Sequence, residues 1–348
     1  MRVDAVAENL LGWYDANRRI LPWRAEPGAP RQEPYRVWLS EIMLQQTTVA
    51  AVKPYFERFT RRWPTVEALA AADEAEVMGA WAGLGYYARA RNLIACARAV
   101  VAEHGGGFPD SETALRSLPG IGDYTAAAIA AIAFDQRAVV IDANVERVAS
   151  RLFAFAQSLP QARPALRSCV DRITPDRRAG DFAQAMMDLG SAICSVRTPQ
   201  CQLCPVSAEC RARGAGDPAT YPVKTAKRPK PRRRGTAFWI ERHQHVWLVR
   251  RPSRGMLGGM RALPSGPWAD TDPGLAEAPI RAEWRDAGSV AHVFTHFALE
   301  LRVVVARDAG PPVDGEWWPI DRIEEAGLPT LFARAAARAI AARESEER

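Results

Sequence analysis

Between residues 194 and 210 the chain carries four of its six cysteines, Cys194, Cys201, Cys204 and Cys210, spaced C-x6-C-x2-C-x5-C. Four thiolates gathered that tightly have few uses other than holding a metal, and a metal staples the loop that binds it. A disulfide framework would spread more cysteines through a shorter, secreted chain. Structural zinc sites usually pair two Cys-x-x-Cys knuckles, and only Cys201 and Cys204 form one here. One loop offering four thiolates at uneven spacing fits an iron–sulfur cluster at least as well. From spacing alone [4Fe–4S] stands ahead of zinc, and unligated structural cysteine comes third.

A length of 348 residues allows two or three domains, each with its own core. Hydrophobic content of 48% beside 25% charged residues is that of a globular protein. No apolar run is long enough to cross a bilayer, and the first residues lack the apolar core of a signal peptide. A cytoplasmic protein, with cysteines kept reduced for metal, is therefore expected. Cys96 and Cys169 lie in apolar, helix-like stretches and read as buried free thiols. The formal charge of +6 is uneven: residues 236–348 hold 14 Lys and Arg against 16 Asp and Glu, leaving residues 1–235 at +8. That asymmetry suits a polyanion partner for the first part, although a basic face alone is often just solvated surface.

Up to about residue 212 the apolar spacing is helical, as at Trp38, Leu39, Ile42 and Met43 and at Leu93, Ala97, Val100 and Val101. Asp123–Ala133 is rich in strong helix formers. Residues 213–235 read as a linker, because KTAKRPKPRRR at Lys224–Arg234 places seven basic residues and two prolines in eleven positions. It could be a solvated tether or could track phosphates. Beyond it, Thr236–Arg250 and Val290–Val305 have the β-branched and aromatic content of strands, and Leu331–Arg343 reads as a closing helix. A small α+β domain is expected over residues 236–348. His243 and His245 read as strand-face residues.

Leu118–Gly122, LPGIG, separates a short helical stretch at Ser111–Ser117 from the helix beginning at Asp123. Gly120 and Gly122 allow a tight turn with bare N–H groups at a helix N-terminus, where a phosphate oxygen can sit. Alone, such a turn is more simply a helix–helix connection. With the flanking LPGIGDYTAAAIA (helix–hairpin–helix, about 111–133) and the cysteine quartet downstream, it resembles the helix–hairpin–helix DNA glycosylase superfamily, in its endonuclease III branch. The resemblance implies a mainly α, two-lobed fold, a [4Fe–4S] loop at 194–210 and double-stranded DNA as partner. It also implies a catalytic aspartate, Asp142, which by sequence alone would be a helix N-cap. A carboxylate there could stabilise the oxocarbenium-like state formed as an N-glycosidic bond breaks, with Asn144 in support. Where endonuclease III has a nucleophilic lysine, this chain has Tyr124, so no amine is available for a Schiff base and a monofunctional glycosylase is expected.

Glu41 is the only acid in Trp38–Val49, WLSEIMLQQTTV. It could sit on a polar face with Ser40, Gln45 and Thr48. In a water-poor pocket it would instead stay protonated near neutrality and could protonate a purine leaving group. This segment, LPWR at Leu21–Arg24, GLGYYARARNL at Gly83–Leu93 and QAMMDLG at Gln184–Gly190 together resemble the MutY family of adenine DNA glycosylases through nearly all of residues 10–212. The resemblance implies removal of adenine mispaired with 8-oxoguanine or guanine, with Glu41 the acid at adenine N7. It implies Arg19, Leu21, Trp23, Arg24 and Gln184 around the adenine, and Gln46 and Tyr86 as residues entering the base stack. Leu21 and Tyr86 could equally be packing residues. In that family the last domain is Nudix-like, related to MutT, and reads 8-oxoguanine; Phe294, Thr295 and His296 stand where the family has Phe-Ser-His. Threonine keeps the hydroxyl and adds a methyl group. Arg250–Pro264 resembles the family's first hairpin there. No REUxEExGU-like carboxylate run is present, so magnesium-dependent diphosphate hydrolysis is not expected. A bacterial, nucleoid-associated monomer is expected. The rival readings are a thymine or uracil mismatch glycosylase, which Glu41 and the last domain oppose, and a non-catalytic DNA-binding protein.

Overall fold

The computed structural model describes residues 2–25, 29–223, 225, 229–252, 255–310 and 314–346. The chain divides into two compact units, Met1–Ala226 and Lys227–Arg348.

The first unit is helical: α1 (Val3–Asn17), α2 (Pro34–Leu44), α3 (Val49–Arg62), α4 (Val66–Ala70), α5 (Glu74–Trp81), α6 (Ala88–His104), α7 (Glu112–Ser117), α8 (Asp123–Phe134), α9 (Ala143–Leu152), α10 (Arg163–Ile173), α11 (Ala179–Ala192) and α12 (Arg211–Gly214). Several starts are written in the sequence, since Thr48, Thr65, Asp73, Ser111 and Asp142 each accept a backbone N–H in the first turn of the helix they precede. Two apolar cores form. One gathers α2 to α8 around Trp38, Phe56, Phe59 and Trp81, all fully buried. Its alanine-rich α8 is buried along Ala126–Ala131 and lies between α2, α7 and α11. The other joins the two ends of the unit, with Val6, Leu10 and Tyr14 of α1 against Val148, Leu166, Met186 and Leu189 of α9 to α11. Burying each such large side chain contributes about 1.5–3 kcal/mol, so α1 is held to this lobe despite its distance in sequence. Cys96 is buried as expected, whereas Cys169 is only half-buried.

The second unit is a mixed sheet with one long helix: β1 (Arg232–Arg242), β2 (His245–Arg250), β3 (Arg261–Ala262), β4 (Arg285–Val293), β5 (Ala298–Arg307), β6 (Glu316–Pro319) and α13 (Thr330–Glu346). Strand order is β3-β2-β1-β5-β4, with β6 on β2. The β1–β5 pair is parallel, and the others are antiparallel. Leu331, Phe332, Ala335, Ala336 and Ala339 put the apolar stripe of α13 into the core with Leu299, Leu301 and Val303.

Two local expectations change. Arg232, Arg233, Arg234 and Gly235 pair with Ala298–Leu301, so the last part of the basic segment is sheet, not tether; its Lys224, Lys227 and Arg228 lie outside the described residues. His243 sits with Gln244 in the β1–β2 turn at positive φ, and only His245 is on a strand. In the stretch Arg250–Pro264, Ser253 and Arg254 also lie outside the described residues.

Candidate active site

A cleft of about 620 Å³ lies in the first unit, lined by residues from both lobes. It gathers Arg19, Leu21, Trp23, Arg24, Glu41, Gln46, Tyr124, Asp142, Asn144 and Gln184, all expected from sequence. Gln45, Thr48, Met187 and Ser191 line it as well.

Glu41 does not occupy a polar face. It comes from the buried middle of α2, is 6% exposed, and accepts the Tyr124 hydroxyl at Oε2 over 2.8 Å. Burial drives its carboxyl up to about 7, with the Tyr124 hydrogen bond opposing, Asp142 adding and Arg24 opposing. Near neutral pH this group therefore holds a proton part of the time and can give it up. Burial and the neighbouring carboxylates raise the Tyr124 hydroxyl far above its ordinary range, so it remains a donor.

Asp142 does two things. Its Oδ1 accepts the Val145 N–H at 2.7 Å, capping α9, and its Oδ2 accepts the Asn144 amide at 2.8 Å. A carboxylate has about four lone-pair sites, so capping leaves room for a further contact. Asn144 is held from behind by Arg147, whose Nη2 donates to Asn144 Oδ1 at 2.9 Å and to Gly190 O at 2.6 Å. Gly190 is there because α11 passes close: a Cβ would lie 2.6 Å from the Cβ of Asn144.

Arg19 and Arg24 converge on Asp188, which is 1% exposed. Arg24 forms a two-pronged bridge at 2.7 and 2.9 Å, and Arg19 Nε adds a contact at 2.5 Å. Burial pushes the Asp188 carboxyl up, but these arginines outweigh it and hold the group below its ordinary range. Leu21 and Trp23 are buried in the core and also line the cleft; Trp23 meets Phe56 edge-on at 5.4 Å.

The hairpin turn runs from Leu118 to Gly122, with Leu118 buried and Ile121 N–H donating to Leu118 O at 3.2 Å. Gly120 needs its lack of a side chain, having φ of 76° and a would-be Cβ 2.7 Å from Asn92 Cβ. Gly122 does not: its φ is −93°, and a Cβ would meet nothing within 4 Å. Gln46 and Tyr86 are exposed on loops at positive φ. Neither Tyr86 nor the hairpin turn lines the cleft.

Cys194, Cys201, Cys204 and Cys210 are free thiols that line one small cavity with Arg151 and Ile193. Among the described residues, no three His, Cys, Asp or Glu side chains form a group able to hold a metal ion. All four thiols border that same cavity. An all-thiol donor set suits an iron–sulfur cluster and also a structural zinc ion. Arg151, 1% exposed, supports that loop by donating to Cys194 Sγ at 3.2 Å, Ser195 O at 2.6 Å and Val196 O at 2.9 Å.

In the second unit, Phe294, Thr295 and His296 form the β4–β5 turn, closed by Phe294 N–H to Phe297 O at 2.8 Å. The Phe294 ring turns inward and stacks on Trp268 at 5.4 Å, while Thr295 and His296 are exposed.

Sequence reasoning missed Asp188, Arg147 and Arg151, because an isolated charge in a helix ordinarily reads as solvated surface.

The helical unit, with its Leu118–Gly122 turn between two helices and its four-cysteine loop, is that of a helix–hairpin–helix base-excision glycosylase. The profile of the HhH-GPD superfamily base excision DNA repair proteins matches residues 39–173, and that of the NUDIX domain matches residues 236–338. Adenine DNA glycosylase of Mus musculus is 34% identical, covering 95% of this chain and 77% of the relative. That of Mycolicibacterium smegmatis is 42% identical over 63% and 73% respectively. That of Buchnera aphidicola is 32% identical over 86% and 85%. A thermostable thymine-DNA glycosylase structure superposes with a TM-score of 0.56 at 30% identity, covering 61% of this chain and 97% of that one. A trapped endonuclease III–DNA covalent intermediate gives 0.51 at 21% identity over 62% and 99%, a likeness of fold. The chain belongs to the adenine DNA glycosylases, enzymes of base-excision repair known as MutY. No helix among the described residues is long and apolar enough to cross a membrane.

Proposed function

We propose that this enzyme hydrolyses adenine from A:8-oxoguanine and A:G mispairs in duplex DNA, acting as a monomer without lyase activity. The observation that carries the chemistry is Glu41, buried in the cleft, poised near pH 7 and facing the same space as Asp142. Breaking the bond between the sugar carbon and adenine sends an electron pair onto the base. Protonation at adenine N7 by Glu41 neutralises it, and the carboxylate of Asp142 stabilises the positive sugar until water adds to the sugar carbon and passes its proton to the ionised Glu41. Asn144 and Tyr124 keep the two carboxyl groups oriented. Leu21, Trp23, Arg19, Arg24 and Gln184 form the walls for the extruded base, with Gln46 and Tyr86 acting at the stack. The hairpin residues Leu118, Gly120 and Gly122 offer backbone donors to phosphate.

Cys194, Cys201, Cys204 and Cys210 would hold one [4Fe–4S] cluster, which supplies a fixed fold to the loop between Cys194 and Cys201. In the second unit, the exposed Thr295 and His296 would hydrogen-bond 8-oxoguanine, with Phe294 serving as the anchor of their turn.

The test is excision from duplexes carrying A:8-oxoguanine, A:G, T:G or U:G, followed by alkaline cleavage. Loss of adenine from the first two is expected. Loss from T:G or U:G alone would assign the pyrimidine reading, and no loss from any would leave DNA binding without catalysis. Borohydride trapping should give no cross-link, since Tyr124 replaces the amine. Broad absorbance in the visible blue is expected for the cluster, and a featureless spectrum would point to zinc.

A further inference from the structure

Gln46 and Tyr86 stand on loops separate in sequence, one after α2 and the other before α6. Both hold a left-handed backbone, with φ of 56° and 50°, a region side-chain-bearing residues rarely adopt unless their surroundings enforce it. Both are exposed, Tyr86 by 53%.

One guanidinium joins the two loops. Arg89, in the first turn of α6, is 8% exposed. Its Nη1 donates to the backbone oxygens of Ile42 at 3.1 Å and Met43 at 2.8 Å, and also to that of Gln45. Its Nη2 donates to Thr47 Oγ1 at 3.0 Å and to the oxygens of Leu84 and Gly85, both at 3.3 Å. Gln45 and Thr47 bracket Gln46, and Leu84 and Gly85 directly precede Tyr86. The guanidinium carbon also lies 5.3 Å from the centroids of both the Trp81 and the Tyr86 rings.

The same contacts finish α2. The last carbonyls of a helix lack partners within it, and α2 has no basic residue in its own last turn. Arg89 supplies donors and positive charge there, one residue beyond Glu41. A planar guanidinium can reach acceptors on two sides at once, whereas a lysine ammonium is a single point with three donors.

We infer that Arg89 is a positioning residue for base extrusion. It locks the Gln46 and Tyr86 loops to each other and to the end of α2, so both residues meet the duplex already ordered. This rests on the proposed reading in which Gln46 and Tyr86 enter the base stack. Loops ordered beforehand spare the complex the entropy of ordering them on binding.

The experiment uses Arg89→Lys, with Arg89→Met as a second variant, in the full-length protein. Hydrogen exchange without DNA should show the amides of residues 45–47 and 84–86 losing protection together, with α10 and α11 unchanged. Exchange that rises in one loop only, or throughout the unit, would overturn the inference. With A:8-oxoguanine duplex, single-turnover excision by Arg89→Lys should fall about 30-fold or more, the size expected when strain at two residues is no longer held. The fluorescence rise of 2-aminopurine placed at the adenine should shrink with it. The alkaline midpoint of the rate profile should stay put, because Glu41 keeps its surroundings. Adenine opposite an abasic site, which needs less extrusion work, should show a smaller deficit; an equal deficit on both duplexes would also overturn the inference. If the unaltered protein removes no adenine, the substrate reading fails, and the exchange data still decide whether Arg89 couples the loops.

Discussion

Replacing Glu41 with glutamine should stabilise the protein at neutral pH while abolishing excision. Burial lifts the folded carboxyl to about 7 from the 4.5 it has when exposed. Across that window the folded state keeps a proton that the unfolded state has released, so stability falls as pH rises through it. The wild-type deficit should be about 1 kcal/mol at pH 5, about 2 at pH 6 and about 3 above pH 7.5. Glutamine resembles the protonated acid in shape, keeps an oxygen for the Tyr124 hydroxyl, and cannot ionise. Any fixed penalty for seating its amide is the same at every pH, so the slope carries the test. For a unit of this size, about 3 kcal/mol corresponds to roughly 6–12 °C in Tm. Calorimetric scans of both proteins at one scan rate, from pH 4.5 to pH 8 in this design, should show the variant's advantage growing and then levelling off. A difference that stays flat across the series would refute the claim that burial keeps Glu41 protonated.

Asp142→Asn should separate capping from chemistry. Asparagine caps helices well, so stability should change by under about 1 kcal/mol, while single-turnover excision should fall by about 10²- to 10³-fold. Tyr124→Phe removes the 2.8 Å hydrogen bond that favours ionised Glu41, so the alkaline limb of the rate profile should move to higher pH. Gly120→Ala should lower Tm and weaken duplex binding, because a side chain at φ of 76° meets Asn92. Gly122→Ala should leave Tm nearly unchanged, and equal losses in the two alanine variants would show that the turn geometry is not the cause.

Much of the fold was legible because it is local. Alanine-rich α8, the N-cap at Asp142 and the strand-like texture of β1 and β5 all follow from neighbouring residues. The parallel pairing of β1 with β5 and the placement of Glu316–Pro319 on β2 depend on partners distant in sequence. Within the cleft, residue types were readable, but burial was not. Ser40, beside Glu41, looks polar in sequence, yet it is buried because its hydroxyl donates to Val37 O at 2.8 Å. Arg89, Arg147 and Arg151 tolerate burial through carbonyl oxygens distant in sequence, and no periodicity marks such acceptors. Asp188 is the clearest case, since Arg24 lies 164 positions away in sequence.

That distant pair bears on the chemistry. Glu41 can stay protonated near neutrality only if no arginine pairs with it, yet Arg24 is close enough to pull its carboxyl down. Arg24 spends both terminal nitrogens on Asp188, and the two-pronged geometry fixes the guanidinium there. Asp188 therefore keeps positive charge at the cleft wall without surrendering it to the acid. Asp188→Asn removes the counter-charge while keeping a hydrogen-bond acceptor. The field of Arg24 then acts on Glu41 uncompensated, favouring the ionised form. The alkaline limb of excision should shift to lower pH, opposite to Tyr124→Phe, and activity at pH 8 should suffer more than at pH 6, on either side of the value near 7. Breaking a buried pair costs about 3–5 kcal/mol, so Tm should fall and assays belong well below it. A limb that stays in place or moves upward would mean that Asp188 shapes the cleft without governing the charge on Glu41.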